Sequence, residues 1–503
     1  MSSPAAPVRK AGDGLWWLAA LLAALAGIGL RFSGLGIQSY WTDETFSVLQ
    51  ASDTWGHLID VARTEIHPPL YPALLKVWID LGDSGPLWTR ALGALLGALG
   101  VAVSWAALRR TRIPAAQRAA VVALTALNGF AITYAQEVRP YALLWLAAVG
   151  VTATAWAWAE EPRPGRLGAF LAWGLIASAT HLFGAILVLA ATVTMATWRR
   201  TAPLALGLAT MGAIAPQALW LGIGLATPGF AAGASRWIAA PTGGSVRDVA
   251  TTVFAAGDLT MLDEGFVWRS PWLALLTGAV VLVSAVTAVA GSSRRAGDEP
   301  VPHPAGFWGL LAGLLLGACW VGSQAVHLWT LRNMIIVAPS LTWAAGTACW
   351  ELLRRPALRI AALATLLACC TLALVQVQRD LATPYKTDFA GAMEYLAEVR
   401  TQEPSAHFAL STLNPDAWML SADLPASPEY LTWLLGDAQL VEKDAFSSVL
   451  TPRAGASVYV WYRSTDPDGA AGRATAMLNR LGRDGCVQVP MQGIAVVRCE
   501  RPQ

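Results

Sequence analysis

The sequence predicts a mostly α-helical, polytopic membrane protein that carries a small α/β domain at its C-terminal end. Two features of the composition and one of the patterning predict this fold class. Of the 503 residues, 55% are hydrophobic and only 14% are charged, and the mean hydropathy is +0.47. Soluble domains carry about 25% charged residues. The apolar residues also form long runs, as helices that cross a bilayer require.

Apolar runs divide the first three quarters of the chain into about eleven predicted membrane spans. The first run follows Arg9-Lys10 and ends at Arg31-Phe32. No small-residue cleavage site follows it, so we predict a retained span rather than a signal peptide. Two of the runs are short and are separated only by His181. The predicted spans are 15–32, 86–108, 119–135, 141–159, 167–180, 182–198, 202–227, 271–291, 305–323, 334–353 and 357–377.

Basic residues cluster in alternate connections between these spans. Cytoplasmic connections carry an excess of lysine and arginine, so the clusters predict a cytoplasmic N-terminus. Residues 33–85 (the first outer loop) and the chain after 378 then lie on the extracytoplasmic side. We predict a multi-pass protein of a bacterial inner membrane, with its chemistry on the outer face and no nucleic-acid partner. The clusters are Arg9-Lys10, Arg109-Arg110 with Arg112, Arg163 with Arg166, Arg199-Arg200, Arg294-Arg295 and Arg354-Arg355.

The character of the chain changes near residue 378. Residues 1–378 form the predicted membrane domain, and residues 379–503 are richer in charged and turn residues. Short β-rich runs at Ala406–Leu410, Ser457–Tyr462 and Gly493–Arg498 alternate with helical stretches such as Asp388–Val399 and Gly472–Leu481. This alternation predicts a soluble α/β domain. Its two cysteines, Cys486 and Cys499, could form a disulfide if the domain lies outside the reducing cytoplasm.

The first outer loop contains an adjacent acid pair, Asp43-Glu44, directly after Tyr40-Trp41. A carboxylate close to the membrane is costly unless it is partnered or used. A carboxylate can serve as the general base that takes the proton from an attacking hydroxyl group. We therefore interpret Asp43 and Glu44 as candidate catalytic residues. A solvated acid pair is the structural alternative.

A second motif in the same loop is His67-Pro68-Pro69. Two prolines stop a preceding helix and favour the first turn of the next one, so the sequence predicts a helix over residues 70–81. The rigid turn could direct His67 and Glu65 toward a pocket. The simpler interpretation is that the motif only starts a helix.

Two more outer-face motifs contain arginine. The turn between the third and fourth predicted spans contains Glu137 and Arg139, which form either an ion pair or a site where Arg139 binds a phosphate through its fixed fork of donors. Arg332 opens the tenth predicted span. It either binds an anion there, assisted by free N–H groups of the first helical turn, or extends along the membrane interface.

These motifs together resemble the GT-C glycosyltransferases. W-T-D-E at 41–44, E-I-H-P-P-L-Y at 65–71, Q-E-V-R-P-Y-A-L at 136–143 and L-R-N at 331–333 are similar to elements of the bacterial protein-mannosyltransferase, aminoarabinose-transferase and Rgt-like group. The resemblance covers roughly residues 15–400. It implies a GT-C fold, a polyprenyl-phosphate-linked sugar donor, an external active site and an inverting transfer to a lipid, glycan or protein acceptor.

The resemblance also implies roles for individual residues. Asp43 matches the essential acidic residue of the first loop, and Glu44 is its companion. No metal-binding cluster is evident, and relatives differ in whether they bind a divalent cation, so the sequence implies no certain cofactor. The donor or phosphate contacts would be Arg139, Arg332, Glu137, His67 and Tyr141, and the further candidates for the pocket are Tyr40, Glu65, Tyr71, Gln136, His181 and His327.

Two other enzyme or transport classes compete with this interpretation. A transporter or flippase of lipid-linked glycans would place ionisable groups near the middle of the membrane, often in repeated halves, whereas here they gather on one predicted face. A polysaccharide polymerase or ligase would keep its key residues in a large late outer loop. A scaffold whose tail binds a partner is the non-enzymatic alternative. The identity of the sugar and of the acceptor does not follow from the sequence.

Overall fold

The computed structural model describes most of the chain before residue 383 and short segments after it. The chain divides into two compact units, which we call the helical unit (Met1–Ser33, Trp55–Trp78 and Arg90–Gln378) and the second unit (Gly34–Thr54, Ile79–Thr89 and Arg379–Gln503). The described residues are 13–40, 42–199, 202–230, 238–255, 303–351, 356–382, 391, 395, 398–399, 401–403, 407–411, 439–441, 457–461, 486–489 and 495–499.

Helices dominate the described part of the chain. A short 3-10 helix, Arg332–Val337, precedes the last two of them. The α-helices are α1 Asp13–Arg31, α2 Thr42–Ser52, α3 Trp55–Ala62, α4 Leu70–Asp80, α5 Pro86–Leu108, α6 Ala115–Ala126, α7 Gly129–Tyr134, α8 Tyr141–Glu160, α9 Pro164–Thr180, α10 Leu182–Trp198, α11 Pro203–Leu225, α12 Gly243–Ala255, α13 Pro304–Ala325, α14 Ala338–Glu351 and α15 Pro356–Ala382.

Five of the described helices, α1, α5, α8, α11 and α13, are long and apolar enough to cross a membrane. The α10 helix and residues 357–372 of α15 are apolar but shorter. The α8 helix is central, because 89% of its most apolar 18-residue stretch is buried. In α11, only 28% of the corresponding stretch is buried. Large apolar side chains such as Leu22 (59% exposed) and Leu219 (69% exposed) cover the outside of the fold. An apolar exterior of this kind suits a lipid environment, and the chain is a multi-pass membrane protein.

Two predicted spans are not single regular helices. The run 119–135 is interrupted between α6 and α7 at Asn128, whose Oδ1 accepts from the Ala131 amide at 2.9 Å. This is an N-cap interaction, which starts a new helix instead of continuing the old one. The run 334–353 begins in the 3-10 helix and continues as α14. The predicted span 271–291 and the basic clusters at 9–10, 294–295 and 354–355 lie outside the described residues.

The segment predicted as the first outer loop is largely helical, because α2, α3 and α4 occupy most of residues 42–80. The acid pair Asp43-Glu44 begins the first of these helices. Both acids lie in the first turn of α2, where negative charge interacts favourably with the positive end of the helix dipole. The helix predicted after the two prolines is confirmed as α4.

The junction between α9 and α10 depends on a small residue at position 184. A Cβ atom added at Gly184 would overlap the carbonyl oxygen of Ala177 at the end of α9. Because this neighbour is backbone, it cannot move aside as a flexible side chain could. Gly184 therefore lets the first turn of α10 approach the last turn of α9, on either side of His181.

We expect Gly184→Ala to destabilise the protein by about 1–3 kcal/mol, because overpacking against backbone forces a shift of the helix. The measurement is thermal unfolding of the purified variant in nanodiscs. Gly207→Ala in α11 is the matched control, since an added Cβ meets nothing within 4 Å there. Equal unfolding temperatures for the two variants would contradict the close contact.

The described part of the tail contains one five-stranded sheet in the order β2-β1-β3-β5-β4. Strand β1 is parallel to β2 and β3, whereas β5 is antiparallel to β3 and β4. The three predicted β-rich runs overlap β1, β3 and β5. The helical stretch 472–481 and most of 388–399 lie outside the described residues, so the α/β domain stays a prediction. The strands are β1 His407–Ser411, β2 Gln439–Val441, β3 Ser457–Trp461, β4 Cys486–Val489 and β5 Ala495–Cys499.

The backbone register of β4 and β5 places Cys486 opposite Cys499. Adjacent positions on neighbouring strands bring two Cα atoms to about 4.5–5.5 Å, which is within the range that a disulfide spans. The pairing suggested by the sequence is therefore compatible with the register, and disulfide formation stays a prediction.

Candidate functional site

Two histidines that are far apart in the sequence meet in the helical unit. The rings of His67 and His181 stack with their centroids 3.7 Å apart and an interplanar angle of 22°. His67 lies in the turn before α4, and His181 lies in extended conformation between α9 and α10. The sequence named both residues as candidates but gave no indication that they touch. We call them the histidine pair.

The orientation of His181 is fixed by a helix cap. Its Nδ1 atom accepts a hydrogen bond from the Phe183 amide at 3.2 Å, and the side chain is only 1% exposed. An accepting Nδ1 carries no proton, so the neutral ring has its proton on Nε2. His181 thus starts α10 and presents one face of its ring to His67.

Tyrosine rings continue from the histidine pair into the unit. Tyr141, the first residue of α8, lies 6.4 Å from His181, and Tyr134 lies 5.1 Å from Tyr141 in an edge-to-face arrangement. Tyr134 and Tyr141 are 2% and 3% exposed. The sequence named Tyr141 as a contact for the donor. In the structure it is part of the buried aromatic wall beside the histidine pair.

The positive charges of Arg139 and Arg332 act on the histidine pair. Burial, and secondly the charge of Arg139, lower the pKa of His67 to about 3. Burial also holds the pKa of His181 well below its usual value, with smaller contributions from His67, Arg139 and Arg332. The structure therefore brings together five of the predicted site residues: His67, His181, Tyr141, Arg139 and Arg332. The histidines are neutral at physiological pH, and the arginines provide positive charge for an anion.

We expect the stability of the protein to fall with pH between about 6.5 and 3. The unfolded chain binds a proton at each histidine below about pH 6.5, whereas folded His67 does so only near pH 3. The contribution of neutral His67 to stability is therefore fully present above about pH 6.5, and the free energy of unfolding falls by about 1.4 kcal/mol per pH unit as the pH drops below it. The lowered pKa of His181 acts in the same direction. Thermal unfolding in nanodiscs at about pH 7.5 and about pH 5.5 measures this dependence.

His67→Phe tests the origin of that dependence, because phenylalanine can stack but cannot bind a proton. The variant should lose less stability than the wild type over the same pH interval. His327→Gln, at an exposed histidine outside the buried pair, is the matched control. A His67→Phe slope equal to that of the wild type would contradict the assignment.

The turn between α7 and α8 contains Gln136, Glu137 and Arg139. Glu137 is 3% exposed, and its side chain is therefore held inside the helical unit. Gln136 Nε2 donates to the carbonyls of Leu30 at 2.8 Å and Ser33 at 2.9 Å. Both amide hydrogens of Gln136 thus cap the end of α1, and this contact gives the predicted pocket residue a structural function.

Arg31, at the end of α1, is a buried charge that the sequence argument did not identify. It has no exposed surface, its Nη1 donates to the carbonyls of Gly27 at 2.7 Å and Ala126 at 2.8 Å, and its guanidinium lies 5.2 Å from the Trp145 ring centroid. These contacts join α1 to the end of α6. An arginine at the end of an apolar run was the only available signal, and it suggested a membrane boundary.

The remaining candidates of the helical unit are distributed differently. Tyr71 is 2% exposed in the first turn of α4. The carbonyl of Glu65 accepts from Trp220 Nε1 at 3.2 Å, and Arg332 is the first residue of the 3-10 helix. His327 is exposed, so the structure does not place it in the buried cluster.

Asp43, Glu44 and Tyr40 belong to the second unit. Glu44 has no exposed surface, and Asp43 is partly buried, with its carbonyl accepting from Ser47 Oγ at 3.0 Å. The Tyr40 hydroxyl donates to the Ser84 carbonyl at 2.7 Å and shares a 2.6 Å hydrogen bond with the Thr89 hydroxyl. Tyr40 therefore ties the segment before α2 to the start of α5. Trp41 lies outside the described residues.

Within the described residues, no cluster of three or more His, Cys, Asp or Glu side chains could hold a metal ion. The buried site offers two histidines and one carboxylate, Glu137, beside two arginines, and the positive charge of the arginines disfavours a divalent cation there.

Comparison with solved structures identifies the fold. The chain is similar to ArnT from Cupriavidus metallidurans bound to undecaprenyl phosphate, with 15% identity, a TM-score of 0.54 and coverage of 97% of this chain and 98% of that one. The apo state of the same protein gives 15% identity, a TM-score of 0.57 and coverage of 96% and 98%. The chain has the fold of ArnT over almost its whole length, in agreement with the resemblance to the aminoarabinose-transferase group that the sequence motifs carry.

A third similar structure is the oligosaccharyltransferase of Archaeoglobus fulgidus tethered with an acceptor peptide, with 10% identity, a TM-score of 0.48 and coverage of 81% of this chain and 63% of that one. No protein-family model and no curated protein matches the sequence.

Proposed function

We propose that this protein is an integral membrane glycosyltransferase that moves a sugar from a polyprenyl-phosphate-linked donor to an acceptor. The observation that carries the proposal is the ArnT fold over 97% of the chain, in a structure solved with undecaprenyl phosphate. We place the protein in a bacterial inner membrane and the transfer on its extracytoplasmic face, because the positive-inside rule puts the polar motifs there.

The buried cluster of the helical unit supports a role in holding the phosphate of the donor. Arg139 and Arg332 supply positive charge. The histidine pair is neutral, so the charge that a phosphate would meet in this cluster comes from the two arginines. Arginine suits a phosphate because its planar fork can donate two parallel hydrogen bonds. The phosphate is also the leaving group, so charge that develops on it during transfer would be stabilised by the same arginines.

We assign the general base to Asp43. In a single inverting displacement, the carboxylate takes the proton of an acceptor hydroxyl while the oxygen attacks the anomeric carbon. The bond between that carbon and the phosphate oxygen breaks, and the polyprenyl phosphate leaves with the electron pair. Asp43 suits this role better than its neighbour Glu44, because Asp43 is partly exposed and Glu44 has no exposed surface.

The remaining candidates receive supporting roles. Glu137 is proposed to orient Arg139 or a sugar hydroxyl, since both lie in one short turn. Tyr141 and Tyr71 line the wall around the donor. Lipid, glycan and protein acceptors stay equally compatible with this assignment, and the sequence and fold select none of them.

Donor turnover by the purified protein in nanodiscs tests the proposal. The protein is offered a panel of radiolabelled polyprenyl-phosphate sugars, and the released polyprenyl phosphate is separated and counted. We expect one donor to be consumed well above the rate of boiled protein. A panel in which no donor is consumed, with and without an added membrane-lipid extract as acceptor, would count against the transferase and in favour of a lipid-glycan transporter.

A further inference from the structure

The α11 helix presents a polar end to the turn that carries His67. Most of α11 faces outward, and its buried residues follow the spacing of three or four that marks one side of a helix. Gln217 is 2% exposed, and Trp220 follows three residues later on the same side. The buried residues of α11 are Leu206, Ala209, Thr210, Ala213, Gln217 and Gly224.

Both side chains donate hydrogen bonds to the backbone immediately before His67. Gln217 Nε2 donates to the Ile66 carbonyl at 3.0 Å, and Trp220 Nε1 donates to the Glu65 carbonyl at 3.2 Å. The two donors thus hold two successive peptide groups.

The sequence of the turn explains why donors are needed there. The amide of Thr64 bonds the Val61 carbonyl at 3.0 Å, and the amide of Glu65 bonds the Ala62 carbonyl at 2.9 Å, each three residues back. At the same spacing of three residues, the amides that could donate to the carbonyls of residues 65 and 66 would be those of residues 68 and 69.

Residues 68 and 69 are both proline, which has no N–H group. The two carbonyls therefore cannot accept from the amides three residues further on, and a buried carbonyl is costly unless another donor replaces them. Gln217 and Trp220 replace the two missing donors one for one.

We propose that Gln217 and Trp220 are positioning residues, which hold the turn before His67 in the conformation that stacks its ring on His181. His181 is itself fixed by the Phe183 amide. The hydrogen bonds from α11 hold the backbone before His67, and the stack on His181 holds the face of its ring. The stacked position also keeps His67 beside Arg139, whose charge acts on it.

A consequence for donor binding rests on the proposed function. If the cluster of His67, Arg139 and Arg332 holds the donor phosphate, displacement of His67 should weaken donor binding specifically. A misplacement of about 1 Å can cost about 100-fold in efficiency. The positioning of His67 itself does not depend on the reaction and can be tested without it.

The first measurement is NMR of protein labelled with carbon-13 at the histidine Cε1 atoms, in nanodiscs. The chain has six histidines, so the His67 signal can be assigned with His67→Gln. In the wild type we expect this signal not to move between about pH 5.5 and about pH 8. In the double variant Gln217→Met with Trp220→Phe, it should change position and titrate nearer the ordinary histidine midpoint of about 6.5.

The second measurement is steady-state kinetics with the donor found in the panel. The double variant should show a donor KM raised by about 10-fold or more, with the acceptor KM unchanged. A variant that is only partly folded would instead lower kcat and leave both KM values unchanged. Thr210→Val is the matched control, because Thr210 is a buried polar residue of the same stripe whose hydroxyl bonds Leu206 and Thr192.

The two measurements separate the possible failures. A His67 signal that is unchanged in the double variant would overturn the positioning proposal, whatever the kinetics. A displaced signal in a protein that consumes no donor would support the positioning and count against the transferase. If the double variant does not insert, Trp220→Phe alone, which keeps an aromatic side chain and removes the indole N–H, must show the same displacement in smaller degree.

Discussion

Asp43→Asn is expected to lower transfer by about 100- to 10,000-fold, the range that a positioned general base contributes. Asparagine keeps the size of the side chain but cannot take the proton from the acceptor hydroxyl. Because Asp43 is partly exposed in the first turn of α2, the substitution should leave insertion and unfolding temperature nearly unchanged. Donor turnover in nanodiscs, measured beside thermal unfolding of the same preparation, provides the comparison.

Asp60→Asn is the matched control for this loss. Asp60 is another acid of the predicted first loop, but its side chain is 70% exposed and pairs only with Arg63, so transfer should be unaffected. Turnover that survives Asp43→Asn would remove Asp43 as the base. Glu44→Gln and Glu137→Gln would then show whether a neighbouring carboxylate takes its place.

Arg139→Gln and Arg332→Gln should each raise the donor KM by about 10- to 150-fold. A hydrogen bond to a charged group contributes about 1.5–3 kcal/mol, and about 1.4 kcal/mol corresponds to one factor of ten in binding. Arg139→Lys should recover only part of the loss, because lysine keeps the charge but not the planar fork of donors. Donor saturation curves for the three variants measure the effect.

Arg163→Gln controls for the general loss of a positive charge. Arg163 is 63% exposed and pairs with Glu161 at the far end of α8, so its removal should leave the donor KM within about two-fold of the wild type. A donor KM that stays unchanged in both Arg139→Gln and Arg332→Gln would exclude the cluster as the phosphate site. It would leave the fold assignment intact.

Motifs made of neighbouring residues were predicted well from the sequence. The prolines at 68 and 69 predicted the start of α4, because proline lacks the N–H group that a preceding helix would need and fits the first turn of the next. Most apolar runs correspond to single helices for a similar reason, since a backbone in lipid must satisfy its own hydrogen bonds. The GT-C expectation came from several such local motifs and agrees with the observed fold.

The hydropathy pattern did not predict the helix boundaries where a short polar side chain starts a new helix. Asn128 divides a predicted span into α6 and α7, and Asp43-Glu44 opens a helix that was not predicted. In both cases, interactions at a helix end outweighed the general apolar or polar character of the segment. Residues that favour helix ends can be recognised in the sequence, but they predict helix boundaries less strongly than hydropathy predicts apolar helices.

The membrane character of the protein, most of its described helices and the motifs of its candidate site were predictable from the residues alone. Which of those motifs meet depends on tertiary packing. The histidine pair and the hydrogen bonds from α11, across 151 and 155 residues of sequence, arise from the packing of whole helices. Hydropathy and periodicity describe one segment at a time. They show that a side chain is buried, whereas its partner depends on which helices pack together.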